Sequence, residues 1–173
     1  AFFNNCFIAN PKSVEEIATV EAQAFFGEGR FDWQCVIPER LDSSYRDHLN
    51  LHGFEMESSF PAMVFDGKIS TLKKPGIYSE LEIKRVDDLA THEDFKTIAA
   101  PAFGIPDFVA DRIVTTDFTL NKAFTLYVGY LKGQPVSTSM IYVSHGIAGV
   151  YWVATAEDQR GKGLGEALTY HAT

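Results

Sequence analysis

The sequence predicts an α+β protein: a mixed, largely antiparallel sheet flanked by helices, with an additional α/β segment ahead of it. Three observations carry that prediction. Three β-rich runs between Ala123 and Thr155 are joined by two short turns, the pattern of an antiparallel meander. Two segments with helical features separate that meander from an earlier strand pattern at residues 81–86. A polar, glycine-rich loop then leads from the last strand into a final helix. The 173 residues suit one ordinary domain or two small ones, and a hydrophobic fraction of 46% supplies a core.

The elements follow in order. Residues 6–9 read as a strand. Ser13 at N-cap with Glu16 at N3 fits a capping box, and Val14, Ile17, Ala18, Glu21, Ala22 and Phe25 continue at mostly helical spacing to Gly27. Pro38 opens a second helix that runs to about Leu51 and ends at Gly53. Residues 60–65 read as a short strand. Residues 68–79 are polar, contain Pro75-Gly76 and show little helical periodicity, which is linker composition. The expected division is therefore an α/β subdomain, 1–78, and a second domain, 79–173.

In the second domain, residues 81–86 alternate as a strand. Thr91 can cap a helix with Asp94 at N3, and Phe95, Ile98, Ala99, Ala102 and Phe103 form one apolar face. Gly104 ends that helix and Pro106 starts another. Residues 123–131, 136–143 and 147–155 are the meander strands.

Composition excludes several function classes. The net charge of -8 opposes a duplex-DNA binder and suits cationic partners such as amines. No apolar run approaches the roughly 18 residues of a membrane span, and the N-terminal residues lack signal-peptide features. Cys6 and Cys35 make no CxxC pair or disulfide framework. The expectation is a soluble cytoplasmic protein with reduced thiols.

The chemistry concentrates at Gln159-Arg160-Gly161-Lys162-Gly163-Leu164-Gly165. A helix starting here leaves its first N–H groups free, and its dipole adds partial positive charge. Glycines let a phosphate approach the backbone, and Arg160 and Lys162 add cations. Strand, glycine loop and helix start together make a pyrophosphate cradle. A P-loop is absent, because Gly163 follows Lys162. The dinucleotide fingerprint fails at Glu166, and it needs a parallel unit.

The spacing that fits is Arg160-x-x-Gly163-x-Gly165 after Gln159. It resembles the [QR]-x-x-G-x-[GA] signature of the GNAT superfamily of acetyl-CoA-dependent N-acetyltransferases. The order of elements from Leu81 onward is similar to the first half of that fold, over roughly half of the chain.

The resemblance implies acetyl-CoA as co-substrate, no metal, and a small amine or amino-acid-like acceptor. It implies that Gln159, Arg160, Gly161, Lys162, Gly163, Leu164 and Gly165 bind the cofactor's pyrophosphate. The strand end at Val153, Ala154 and Thr155 would meet the pantetheine arm, with the Val153 N–H as oxyanion donor. Glu157, Tyr151 and His145 are the candidate proton carriers, each with a plainer role as loop acid, wall or turn residue. Phe103 and Phe108 are candidates for the acceptor pocket or ordinary core.

The resemblance also implies further elements after Thr173; either they lie beyond the chain or residues 1–78 supply equivalents. The implied partners include no nucleic acid and no membrane, with a homodimer as the candidate assembly. The alternatives are a non-catalytic CoA-binding sensor or scaffold, and another nucleotide-phosphate binder. Outside the loop, His48 and His52 share a helix face without a third ligand. Asp87, Asp88, Glu93 and Asp94 suit a helix start better than a metal. Trp33 and Trp152 suit core or pocket wall.

Overall fold

The computed structural model describes residues 5–7, 24, 34–59, 63–65 and 68–173. The chain divides into two compact units, Ala1–Val64 and Phe65–Thr173.

In the first unit, β1 (Asn5–Phe7) pairs in parallel with β2 (Gln34–Val36). A 3-10 turn, Glu39–Leu41, leads into α1 (Asp42–Leu51). Tyr45 and Leu49, one helical turn apart, bury their side chains against Cys35, Ile37 and Phe54. Gly53 ends α1 with φ +80. There the Phe54 N–H reaches the Leu49 carbonyl at 3.0 Å and the Gly53 N–H reaches Asn50 at 3.1 Å, a Schellman cap. The strand β2 had no periodic signal. The helix expected after Ser13 lies outside the described residues except for Ala24, which is helical, and Trp33 lies outside them too. Of the strand expected at 60–65, residues 63–65 have no regular structure.

The second unit begins its regular structure with two 3-10 turns, Ile69–Thr71 and Gly76–Glu80. Strand β3 (Glu82–Arg85) follows, then α2 (Leu89–Ala102), α3 (Asp107–Ile113) and the short α4 (Thr116–Thr119). The meander is β4 (Phe124–Leu131), β5 (Gln134–Ser144) and β6 (Ile147–Thr155), and α5 (Leu164–Ala172) closes the described fold. The segment expected as a linker is partly built into this unit. The Tyr78 hydroxyl meets His171 Nδ1 at 2.8 Å, and its ring stands edge-on to Tyr170.

The N-cap of α2 lies three residues before the expected one. Asp88 is the N-cap, and its carboxylate accepts the Thr91 N–H at 2.8 Å and the Thr91 hydroxyl at 2.7 Å. An ionised acceptor outcompetes the Thr91 hydroxyl for that role, so Thr91 becomes N3 of a capping box. The same hydrogen bonds hold the Asp88 carboxyl below its usual value. At the other end Gly104, with φ +66, forms a second Schellman cap: Ile105 N–H to Ala100 at 2.9 Å, Gly104 N–H to Pro101 at 3.0 Å.

Order in the sheet is β3-β4-β5-β6, all antiparallel. Both hairpin turns carry two positive-φ residues, Lys132-Gly133 and His145-Gly146, which match the twist of paired strands. Alternation along β4 sends side chains to opposite faces. Leu126, Val128 and Tyr130 pack with Phe95 and Ala99 of α2 in the main core. On the other face Tyr127 stands edge-on to His171, and Gly129 lies under Leu168 of α5. The result is an α+β layering with helices on both faces of one antiparallel sheet. No helix among the described residues is long and apolar enough to cross a membrane.

Candidate functional site

The glycine loop sits where β6 hands over to α5. A 3-10 turn, Glu157–Gln159, follows the strand, and Gly163 is the helix N-cap with φ +77. Gly161 has φ +79. The first helical bond runs from the Ala167 N–H to the Gly163 carbonyl at 3.0 Å, so the preceding N–H groups have no acceptor within the helix. Leu164, Ala167 and Leu168 anchor α5 in the core and fix the direction of those N–H groups. The helix dipole adds positive potential at the same place.

The loop side chains bind one another. Lys162 Nζ donates to Gln159 Oε1 at 2.6 Å, and Gln159 Nε2 donates to Asp158 at 2.7 Å. Arg160 Nε reaches the Thr155 carbonyl at 3.4 Å. Gln159 therefore braces the loop, while Arg160 and Lys162 present exposed charge.

Strand β6 is the last in the sheet among the described residues. Ala156 donates its N–H to Val136 at 2.9 Å, and the Ala154 carbonyl accepts from the buried Ser137 hydroxyl at 2.6 Å. By alternation the main-chain groups of Thr155 face away from β5, toward the side of β6 that no described strand pairs with. Between Thr138 and Met140 the register shifts, leaving Trp152 and Val153 together opposite Ser139. This is a β-bulge. Trp152 has φ +51, a left-handed conformation that costs an L-residue roughly 1–2 kcal/mol. Its ring packs against Phe95, Phe103 and Phe118, contacts worth about 0.5–1.5 kcal/mol each.

The other expected residues are dispersed. Glu157 is exposed in the 3-10 turn. Tyr151 is 50% exposed and its ring lies back over Gly149, where a Cβ would come within 2.5 Å of the hydroxyl. His145 does not join the site. It is in the β5–β6 turn beside the Ser144 hydroxyl at 2.7 Å, roughly 25 Å along the strand from Thr155. Phe103 packs in the core at 5.2 Å from the Trp152 ring centroid, whereas Phe108 is 72% exposed on α3. Asp88, Glu93 and Asp94 around the α2 start are engaged locally, Asp88 as the helix cap. Asp94 accepts the Tyr130 hydroxyl at 2.7 Å, and Glu93 pairs with Lys96. The His48 and His52 rings lie 4.7 Å apart, and no group of three metal-ligating side chains occurs among the described residues.

By sequence, no family model matches the chain and no curated protein is similar to it. By structure, a GCN5-related N-acetyltransferase (GNAT) from Kribbella flavida is similar over 88% of this chain, with a TM-score of 0.55 and 19% identity. The chain has a GNAT fold. It spans 57% of the Kribbella protein. An aminoglycoside acetyltransferase from an uncultured soil metagenomic sample, solved in complex with sisomicin, is similar over 55% of this chain and 68% of its own. Its TM-score is 0.43 at 20% identity. A predicted acetyltransferase from Clostridium acetobutylicum, solved with acetyl-CoA, is similar over 53% and 70%, with a TM-score of 0.43 at 15% identity.

Within this GNAT fold the glycine loop and the bulged edge of β6 are neighbours. A Cβ on Gly165 would stand 3.6 Å from both Thr155 Oγ1 and Val153 Cγ1, so the helix start lies directly on the strand end. Sequence reasoning missed the roles of Ser137, Thr138 and Ser139. Three consecutive hydroxyl residues inside an apolar strand were the available signal; all three are fully buried, and Ser137 and Thr138 hold carbonyls of β6.

Proposed function

We propose that this chain is an acetyl-CoA-dependent N-acetyltransferase acting on a small amine or amino-acid-like acceptor. The observation that carries the reading is the continuity of the bulged end of β6 with the glycine-rich start of α5. The GNAT fold shared with the Kribbella N-acetyltransferase supports it.

The free N–H groups from Gly161 to Gly165 bind the CoA pyrophosphate, and Arg160 and Lys162 add charge. Thr155 pairs its edge-facing main chain with the pantetheine amides, as an added strand would. The Val153 N–H polarises the thioester carbonyl and stabilises the negative charge that builds there. The neutral amine attacks that carbon, a C–N bond forms, the C–S bond breaks, and CoA leaves as the thiolate, which takes a proton. The ammonium form of the acceptor must first lose its proton, through a water chain or a nearby group. Tyr151 and Glu157 are the chain's own candidates, being one residue before the bulge and two residues past the strand. No step calls for a metal. The reading carries with it a cytoplasmic location.

Thermal melting with and without acetyl-CoA tests it, comparing wild type with Gly163→Glu. A ligand bound only to the folded state at ~100 times its Kd adds about 2.7 kcal/mol. The expected outcome is a rise in Tm for the wild type that the folded variant loses. No rise in the wild type overturns the cofactor assignment. A rise without CoA release in an amine screen favours a non-catalytic binding module.

A further inference from the structure

We propose that Thr138 and Trp152 are positioning residues that clamp one peptide plane and so aim the Val153 N–H out of the sheet edge. The inference rests on reading β6 as the thioester site and adds how that donor is held.

The argument starts from the bulge. From Thr138 to Met140, β5 advances two residues while β6 advances three, from Ala154 to Tyr151. An extra residue in an edge strand frees the local ladder and leaves its peptides without a register to fix them. Something else must then set their direction. The Thr138 hydroxyl donates to the Trp152 carbonyl at 2.9 Å, and Thr138 is fully buried, so this bond points the carbonyl toward β5.

That carbonyl and the Val153 N–H belong to one peptide group, and the chain's described peptides are all trans. In a planar trans peptide the C=O and the N–H point in opposite directions. A carbonyl held toward β5 therefore turns the Val153 N–H away from it, toward the side of β6 that no described strand pairs with. The other handle is the Trp152 side chain. Its ring is seated among Phe95 of α2, Phe103 just beyond α2, and Phe118 of α4, at centroid distances of 6.1, 5.2 and 5.9 Å. Packing of this density does not let the ring turn freely. It holds the residue in its left-handed conformation against the intrinsic preference of an L-residue. Ring and carbonyl together leave the peptide one orientation.

The test reads the Val153 amide resonance of the full chain by NMR during titration with CoA and with acetyl-CoA. Only acetyl-CoA carries the carbonyl. In the wild type the Gly161 and Gly163 amides should respond to both ligands, and Val153 should shift further with acetyl-CoA than with CoA. Thr138→Val keeps the shape of the side chain and removes the hydroxyl. It should lose most of the extra Val153 shift while the glycine responses persist, and Thr138→Ser should restore it. Trp152→Phe carries the same test should Thr138→Val fail to fold. A variant that keeps the full extra shift overturns the clamp. Glycine amides silent in the wild type overturn the reading of the loop instead, and glycines that respond while Val153 does not overturn its role as donor.

Discussion

At the scale of single residues, the loop glycines are fixed by backbone conformation. Gly161 has open space where a Cβ would go, and a Cβ on Gly163 would meet Ile77 and Glu166 only at ordinary distances of 3.7 and 3.8 Å. Their φ values of +79 and +77 are what exclude other residues. Gly163→Ala should therefore cost about 1–2 kcal/mol in urea unfolding, and Gly163→Asn clearly less, since Asn tolerates the left-handed region. Equal costs for the two variants would mean that side-chain volume governs the position. Gly149 is the opposite case: its φ is ordinary, and the space is taken by the exposed ring of Tyr151, which can swing aside.

At the scale of elements, the seat of α5 on the sheet decides where its N-terminus points. A Cβ on Gly129 would come within 2.8 Å of Leu168 Cδ2, and Leu168 is fully buried, so that side chain has nowhere to go. Gly129→Ala should destabilise the fold by about 1–3 kcal/mol through overpacking. Adding Leu168→Val should recover part of that loss, as a thermal or urea melt of the double variant would show. If the two substitutions simply add, the contact is not the cause. The helix must lie this close because Ser139 also reaches the Leu168 carbonyl, at 3.4 Å, and no side chain on Gly129 intervenes.

At the scale of the whole molecule, two histidines tie stability to pH. Burial pushes His92 and His171 below the usual imidazole value of 6.5, with the Glu93 carboxylate partly opposing it at His92. The unfolded chain takes up those protons near 6.5 while the folded chain resists them. Stability is thus full above that value and falls as the pH drops below it. Tm should decline as the pH drops below about 6.5, and His171→Gln should flatten the slope. An unchanged slope would place the dependence elsewhere. Two compact units also predict where a protease cuts. Met63 and Val64 are 92% and 90% exposed and lack regular structure, so limited chymotrypsin digestion should open the chain near Phe65 first.

The sequence by itself determined the meander, its turns and the glycine loop, because each rests on local physics. Alternation marks strands, positive φ selects the turn glycines, and a helix start needs free N–H groups wherever it lies. It also made the GNAT fold legible from Leu81 onward. The helix cap shifted from Thr91 to Asp88 because two acceptors three residues apart both fit the local pattern, and only their competition in space chose one. His145 left the site for a reason no motif records: strand length carried it to the far end of β6. The bulge at Trp152 and Val153 was decided by tertiary structure alone. It depends on a ring seated between α2 and α4, and on a hydroxyl from the neighbouring strand, 14 residues away in the chain. Local sequence sets which conformations are cheap; long-range packing decides which costly one is held.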